Sequence, residues 1–260
     1  MHRIILTMLA VGLVLGANLA KPESAPRTQK PQLHGTEWVA ITGKPLATTS
    51  GASMFLAGGN AVDAACAMLA TTATMWDVLG WGGETQALIW HPKEKRVIGV
   101  NALGVAPTGA TAEFFRQQGM EYPPEYGPLA AVTPGTPGGL LTILAEYGTM
   151  SLAQVLAPAI KLADEGYPLE WSAVWSIRRN AENLRLWPTT EKIFFPKGQI
   201  PQVGDVFIQK DLANTLKKLV EAEKRAQADG ASRKEAIYAA YERFYRGDIA
   251  KELVRGTREL

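Results

Sequence analysis

Covalent catalysis without a cofactor needs a nucleophile beside a base, and the chain offers few candidates for either. Threonine pairs occur at Thr48-Thr49, Thr71-Thr72 and Thr189-Thr190, and each reads plainly as part of a helix or a turn. The single cysteine, Cys66, lies in an apolar stretch. It cannot form an internal disulfide and reads as a small core residue rather than a nucleophile. The histidines His2, His34 and His91 are far apart and beside no Cys, Asp or Glu cluster, so no metal site is expected. No Ser/His/Asp or Cys/His set can be assembled, and the 25 acidic residues offer no pair that spacing singles out. No catalytic residue and no cofactor are therefore assigned.

The stretch most committed to positioning runs from Ala57 to Gly83. Gly58 and Gly59 stop one helix, Asn60 caps the next, and Asp63 sits in its first turn near the positive end of the dipole. From Ala61 to about Met75 the only charge is Asp63, so this helix is expected to be buried. The turn that ends in Gly82-Gly83 precedes a strand. No Gly-Lys-Ser/Thr follows it and no helix opens from it, which excludes a phosphate loop and a dinucleotide fingerprint.

With 27 basic and 25 acidic residues, the charge balance gives no case for nucleic-acid or membrane-surface binding. Residues 1–20 read as a secretory signal: His2-Arg3, an apolar run from Ile4 to Gly16 too short for a span, then small residues. Residues 21–35 read as a Pro-, Lys- and Gln-rich spacer, and 36–260 as one ordered region, placed in the periplasm or outside the cell. Within it the patterns predict a short strand over 38–42, a helix over 45–57, and strands over 85–91 and 97–101. A helix capped by Thr136, one from Ser151 to Gly166 kinked at Pro158, one over 171–184 and one after Ser232 follow. The aromatic stripe Tyr238, Tyr241, Phe244 and Tyr245 reads as core. Patterning alone thus suggests a helix-rich α/β or α+β chain.

Several runs share one resemblance, in order along the chain: GGNAVDAA, Ala106-Pro107, the Pro134-Gly135-Thr136 element, YGTMSLAQVLAPAIKLADEGYPL and FYRGDIA. Together they resemble the gamma-glutamyltranspeptidase family of N-terminal-nucleophile hydrolases over roughly 43–252. That resemblance implies an α+β fold, the helix-rich N-terminal fragment of a four-layer αββα sandwich. It also implies a precursor that cuts itself and exposes a threonine nucleophile whose own α-amine is the base. The family's Thr-Thr-His processing pattern is absent here, so the catalytic portion is expected beyond Leu260 as the partner of this chain.

Two classes of function follow. One is the N-terminal part of an amidohydrolase or acyltransferase acting on small amides such as glutathione. The other is a secreted scaffold or decayed fragment without activity. Aligned on Ala106-Pro107, the family's Arg-Glu pair becomes Leu103-Gly104. The resemblance implies that the lost arginine would have gripped the glutamyl α-carboxylate, and leucine has no donor for it. A different acyl group, a weak contact from Asn101, or an arginine such as Arg96 moving in are the alternatives.

Overall fold

A computed structural model describes residues 33–75 and 79–259 of the chain. The expected signal, and most of the spacer, lie outside the described residues. The chain divides between residues 1–39 and 40–260. Residues 33–39 carry no helix or strand, and residues 40–42 carry none either. The strand expected over 38–42 is not formed: among the described residues no strand pairs with it.

The larger unit is built on helices. Helix α1, Pro45–Leu56, starts on a proline whose missing N–H costs nothing there. Gly58, at φ +87°, turns the chain out of it. Helix α2, Ala61–Thr74, opens on a reciprocal capping box between Asn60 and Asp63. The two helices pack closely: Ser50 Oγ donates to Ala67 O at 3.1 Å and Thr71 Oγ1 to Ser50 Oγ at 3.0 Å. Most of α2 is buried, as expected, but Ala61 and Ala65 are exposed, so its cover is incomplete along one stripe.

Strands β1, Thr85–His91, and β2, Arg96–Ala102, form an antiparallel hairpin in register from Thr85 with Ala102 to His91 with Arg96. Alternation sends Ala87, Ile89 and Val100 toward the helices and Leu88, Trp90 and Val97 the other way. Helix α3 is Ala112–Gln117. Helix α4, Thr136–Tyr147, begins at the residue expected to cap it, one residue earlier than expected, and the Thr136 hydroxyl donates instead to Glu84 O at 3.1 Å. Helix α5, Leu152–Glu165, opens on the Ser151–Gln154 box and runs through Pro158 without ending there.

Beyond it come β3, Tyr167–Pro168, and helices α6, Trp171–Arg179, and α7, Ala181–Leu184. The single helix expected over 171–184 is thus broken at Asn180. Then follow α8, Pro188–Phe194, β4, Val206–Phe207, α9, Lys210–Ala228, α10, Arg233–Arg246, and α11, Asp248–Glu259. The main core joins α2, α4, α5, α9 and α10 through Ala67, Leu144, Leu156, Leu216 and Ile237. A second cluster gathers Met75, Tyr167, Ile177, Phe195 and Phe207 around the short β3–β4 pair. Lys44, nearly buried, meets Glu170 at 2.7 Å and ties α1 to the start of α6.

Candidate functional site

Asp63 is wholly buried, and its carboxylate closes the loop between α4 and α5. It accepts from Asn60 N at 2.8 Å, Thr149 N at 2.9 Å, Thr149 Oγ1 at 2.6 Å and Met150 N at 3.0 Å. Asn60 adds Nδ2 to Tyr147 O at 2.8 Å. Gly59 lies against Met150, Met54 and Asp63, with no room for a side chain. Two further charges finish this junction. Glu223, also buried, takes Leu152 N at 2.6 Å and Ala153 N at 2.9 Å at the positive end of α5. Arg233 spreads its guanidinium over the carbonyls of Leu144, Ala145, Gly148 and Met150. In this structure Gly59, Asn60 and Asp63 thus form a packed, hydrogen-bonded joint, and Gly58 turns the chain into it at φ +87°.

The remaining singled-out residues meet at the end of β2. Gly83 O accepts from Gly135 N at 2.8 Å and Thr136 N at 3.0 Å, so the turn after Gly82 seats the start of α4. Gly104 has φ +79°, and a Cβ there would lie 2.1 Å from Thr133 O. A Cβ on Gly135 would lie 2.2 Å from Ala102 O. The strand end and the Pro134-Gly135 turn thus touch backbone to backbone, which only glycine permits. The family's glutamate cannot occupy 104 in this conformation. Its replacement by glycine fits the local path.

A cavity of about 710 Å³ follows this edge and is lined by Asn101, Leu103, Val105, Pro134, Tyr241 and Arg246, among others. Leu103 is 41% exposed, and its N–H donates to Asn101 Oδ1 at 3.2 Å. Tyr245 is spent on the scaffold: its hydroxyl accepts from Gly138 N at 2.9 Å and donates to Pro134 O at 2.5 Å. Its hydroxyl is shifted up from the ordinary range, mainly by burial. Arg96 is at the opposite end of β2, at 2.5 Å from Glu94, roughly 20 Å from Leu103 along an extended strand. It cannot replace the missing arginine. The cation that borders the cavity is Arg246, held by Glu242 one turn back. Sequence reading missed it; the FYRGDIA run contains it, but nothing local says which way the helix faces.

Cys66 is 1% exposed, its Sγ 3.8 Å from Leu140 O, and burial, with Asp63 adding, pushes its thiol well above the usual range. Thr48 and Thr49 donate to the carbonyls of Lys44 and Pro45, and Thr71 to Ser50. None of these hydroxyls faces a base.

The family model described as gamma-glutamyltranspeptidase matches residues 47–260. The chain belongs to that family. A glutathione hydrolase proenzyme of Bacillus subtilis (strain 168) is 31% identical over 258 residues, covering 95% of this chain and 40% of that protein. An acylase ACY 1 proenzyme of Pseudomonas sp. (strain V22) is 35% identical over 208 residues, with 75% and 36% covered. The crystal structure of Helicobacter pylori gamma-glutamyltranspeptidase superposes with TM-score 0.77 at 30% identity, covering 88% of this chain and 62% of that one. The helix-rich α+β fold is that of these N-terminal-nucleophile hydrolases. The chain spans about 40% of the length of the curated relatives it matches.

Proposed function

We propose that this chain is the N-terminal part of a secreted gamma-glutamyltranspeptidase-like precursor. The complete protein hydrolyses amides such as glutathione or transfers their acyl groups, and its nucleophilic threonine belongs to the remaining portion. The observation that carries this reading is the family match over 47–260, made with proenzymes of which this chain spans less than half. In the complete protein the threonine hydroxyl loses its proton to its own α-amine and attacks the amide carbonyl; the C–N bond breaks and the departing amine takes that proton, leaving the acyl group on the threonine oxygen. Water or an acceptor amine then takes the acyl group.

A second reading, favoured by Leu103, is an acylase or amidohydrolase whose acyl group is not glutamyl. Leu103 offers the cavity an apolar surface where a carboxylate would need a guanidinium. The experiment produces the chain with and without the remaining portion and assays a chromogenic gamma-glutamyl anilide beside neutral acyl amides. Turnover is expected only for the pair, and the ratio of the two substrates separates the two readings. Turnover by this chain alone, or none by the pair on any amide, defeats the proposal.

A further inference from the structure

We propose that the outer face of α6 is a membrane-surface contact that takes anionic lipid headgroups. Helical spacing builds this face. Trp171, Trp175 and Arg179 follow one another at four-residue intervals, and Arg178 lies beside the last of them. The opposite face, Ala173, Val174 and Ile177, is buried in the cluster with Tyr167, Phe195 and Phe207. Lys44 holds Glu170 and so fixes the start of the helix. The tryptophans are therefore carried on an anchored helix, not on a free loop.

Both rings are open to water, Trp171 at 69% and Trp175 at 48%. They stack with centroids 6.2 Å apart and planes 21° from parallel, and the Arg179 guanidinium lies over Trp175 at 5.3 Å from its centroid. Trp175 thus has Trp171 one turn before it and Arg179 one turn after it. The flat groups form a ladder whose ring faces turn toward one another. A sugar or a nucleobase stacks on an open ring face, which this ladder gives up to its own members. A lipid interface asks for something different: amphipathic rings at headgroup depth with cations beside them for the phosphates.

The charge of the surroundings favours the same partner. Residues 171–198 hold five Lys or Arg and two Asp or Glu, an excess that the near-neutral balance of the whole chain conceals. Arg185 is engaged by Glu191 at 2.8 Å, whereas Arg178 and Arg179 have no carboxylate partner among the described residues. Two such guanidinium groups beside two exposed indoles complement a surface that is anionic outside and apolar just beneath. No helix among the described residues is long and apolar enough to cross a membrane, so the contact proposed is with the surface.

The test uses the chain co-produced with the remaining portion and freed of residues 1–20, whose apolar run would bind lipid by itself. Co-sedimentation with phosphatidylglycerol vesicles should exceed that with phosphatidylcholine vesicles by at least about tenfold at low salt and fall as salt rises. Trp171→Ser with Trp175→Ser should lower the partition by at least about tenfold. Arg178→Gln with Arg179→Gln should lower it by about tenfold or more on anionic vesicles only, since each cation near such a surface is worth about fivefold. All four side chains are exposed, so thermal midpoints should stay within a few degrees. If the tryptophan variant fails to fold, Ser172→Cys decides. Cys66 is buried and stays unlabelled, and a polarity-sensitive dye on the exposed position 172 should shift to the blue with phosphatidylglycerol vesicles. No shift, no preference for anionic vesicles, or equal binding by the unmodified and variant proteins overturns the proposal. Self-association that the tryptophan variant abolishes, without vesicle binding, assigns the face to a second copy and overturns it as well.

Discussion

At the joint between α4 and α5, three charged side chains from three helices close a short loop. Asp63 takes amides of Thr149 and Met150, Glu223 those of Leu152 and Ala153, and Arg233 the carbonyls at the end of α4. At the β1–β2 hairpin the chemistry is the reverse. Leu88 is 82% exposed, Trp90 61% and Val97 55%, all on one face, and neither outer edge is paired among the described residues. The first region satisfies its polar groups within the chain. The second presents apolar surface and open backbone, which a soluble chain keeps only where something covers it. The joint holds the helical layer together, while the hairpin keeps a face and an edge that no described residue covers.

The largest effect should come from breaking the joint. Asp63→Ala removes one buried charge and strands the Thr149 and Met150 amides. Removing one member of a buried charged network typically costs about 3–5 kcal/mol. Urea unfolding should show that loss; a cost below about 1 kcal/mol would mean water replaces the carboxylate easily.

The next effect sharpens the open side. In the complete protein, Leu103→Arg should raise efficiency on gamma-glutamyl amides relative to neutral acyl amides. Removing one partner of a desolvated carboxylate–guanidinium pair typically costs about 2–5 kcal/mol, roughly thirty- to several-thousand-fold, which is the upper bound on the gain. Leu103 has the exposure to accept the longer side chain, whereas Gly104→Glu should not fold normally, because φ is +79° and Thr133 O blocks the Cβ. An unmodified enzyme that already cleaves glutathione as well as the arginine variant would show that Leu103 has no part in acyl selection. Arg246→Ala separates the remaining alternative, since Arg246 is the cation on that cavity.

These two regions also differ in how far the sequence discloses them. The joint was readable because its parts are local: Gly58-Gly59-Asn60 with Asp63, and Ser151 with Gln154, are caps with fixed spacing. What spacing could not show is that Asp63 also reaches residues 86 and 87 positions away, or that Glu223 and Arg233 join it. The hairpin was readable from alternation, but its bare face was not, because alternation does not say which side is covered. Residues 38–42 misled for the same reason: strand-forming composition does not supply a partner. Around Leu103 the departure from the family pattern was visible. The neighbours Tyr241 and Arg246, more than a hundred residues later, were not.

The hairpin face gives a smaller effect, on association rather than stability. Trp90→Thr with Leu88→Thr should change the unfolding free energy by no more than about 0.5 kcal/mol, since exposed positions lose little on truncation. The same pair should reduce self-association of the chain alone, seen as a shift toward monomer in sedimentation velocity. A monodisperse unmodified chain would show that the face is tolerated in water.

The smallest effect expected is a response to acid at the rim of the joint. Glu146, at the end of α4, accepts from Lys234 Nζ at 2.7 Å and from Tyr238 Oη at 2.8 Å. These two hydrogen bonds, the lysine's first, hold its carboxyl below the ordinary range. A carboxyl depressed on folding adds stability that is fully present above its unfolded pKa, about 4.3 for glutamate, and lost as pH falls through the folded value. Asp164, brought down to about 2 by Lys210 and Lys217 in the same way, extends the window lower. The Glu146 pairs are largely solvent-exposed, and such pairs are worth at most about 1 kcal/mol. Thermal midpoints should therefore be level from about pH 7 to pH 5 and decline gently below about pH 4. Glu146→Gln should flatten the first part of that decline while leaving the midpoint near neutrality within a few degrees. If the variant declines as steeply as the unmodified chain, the acid response comes from other groups and the rim contributes nothing to it.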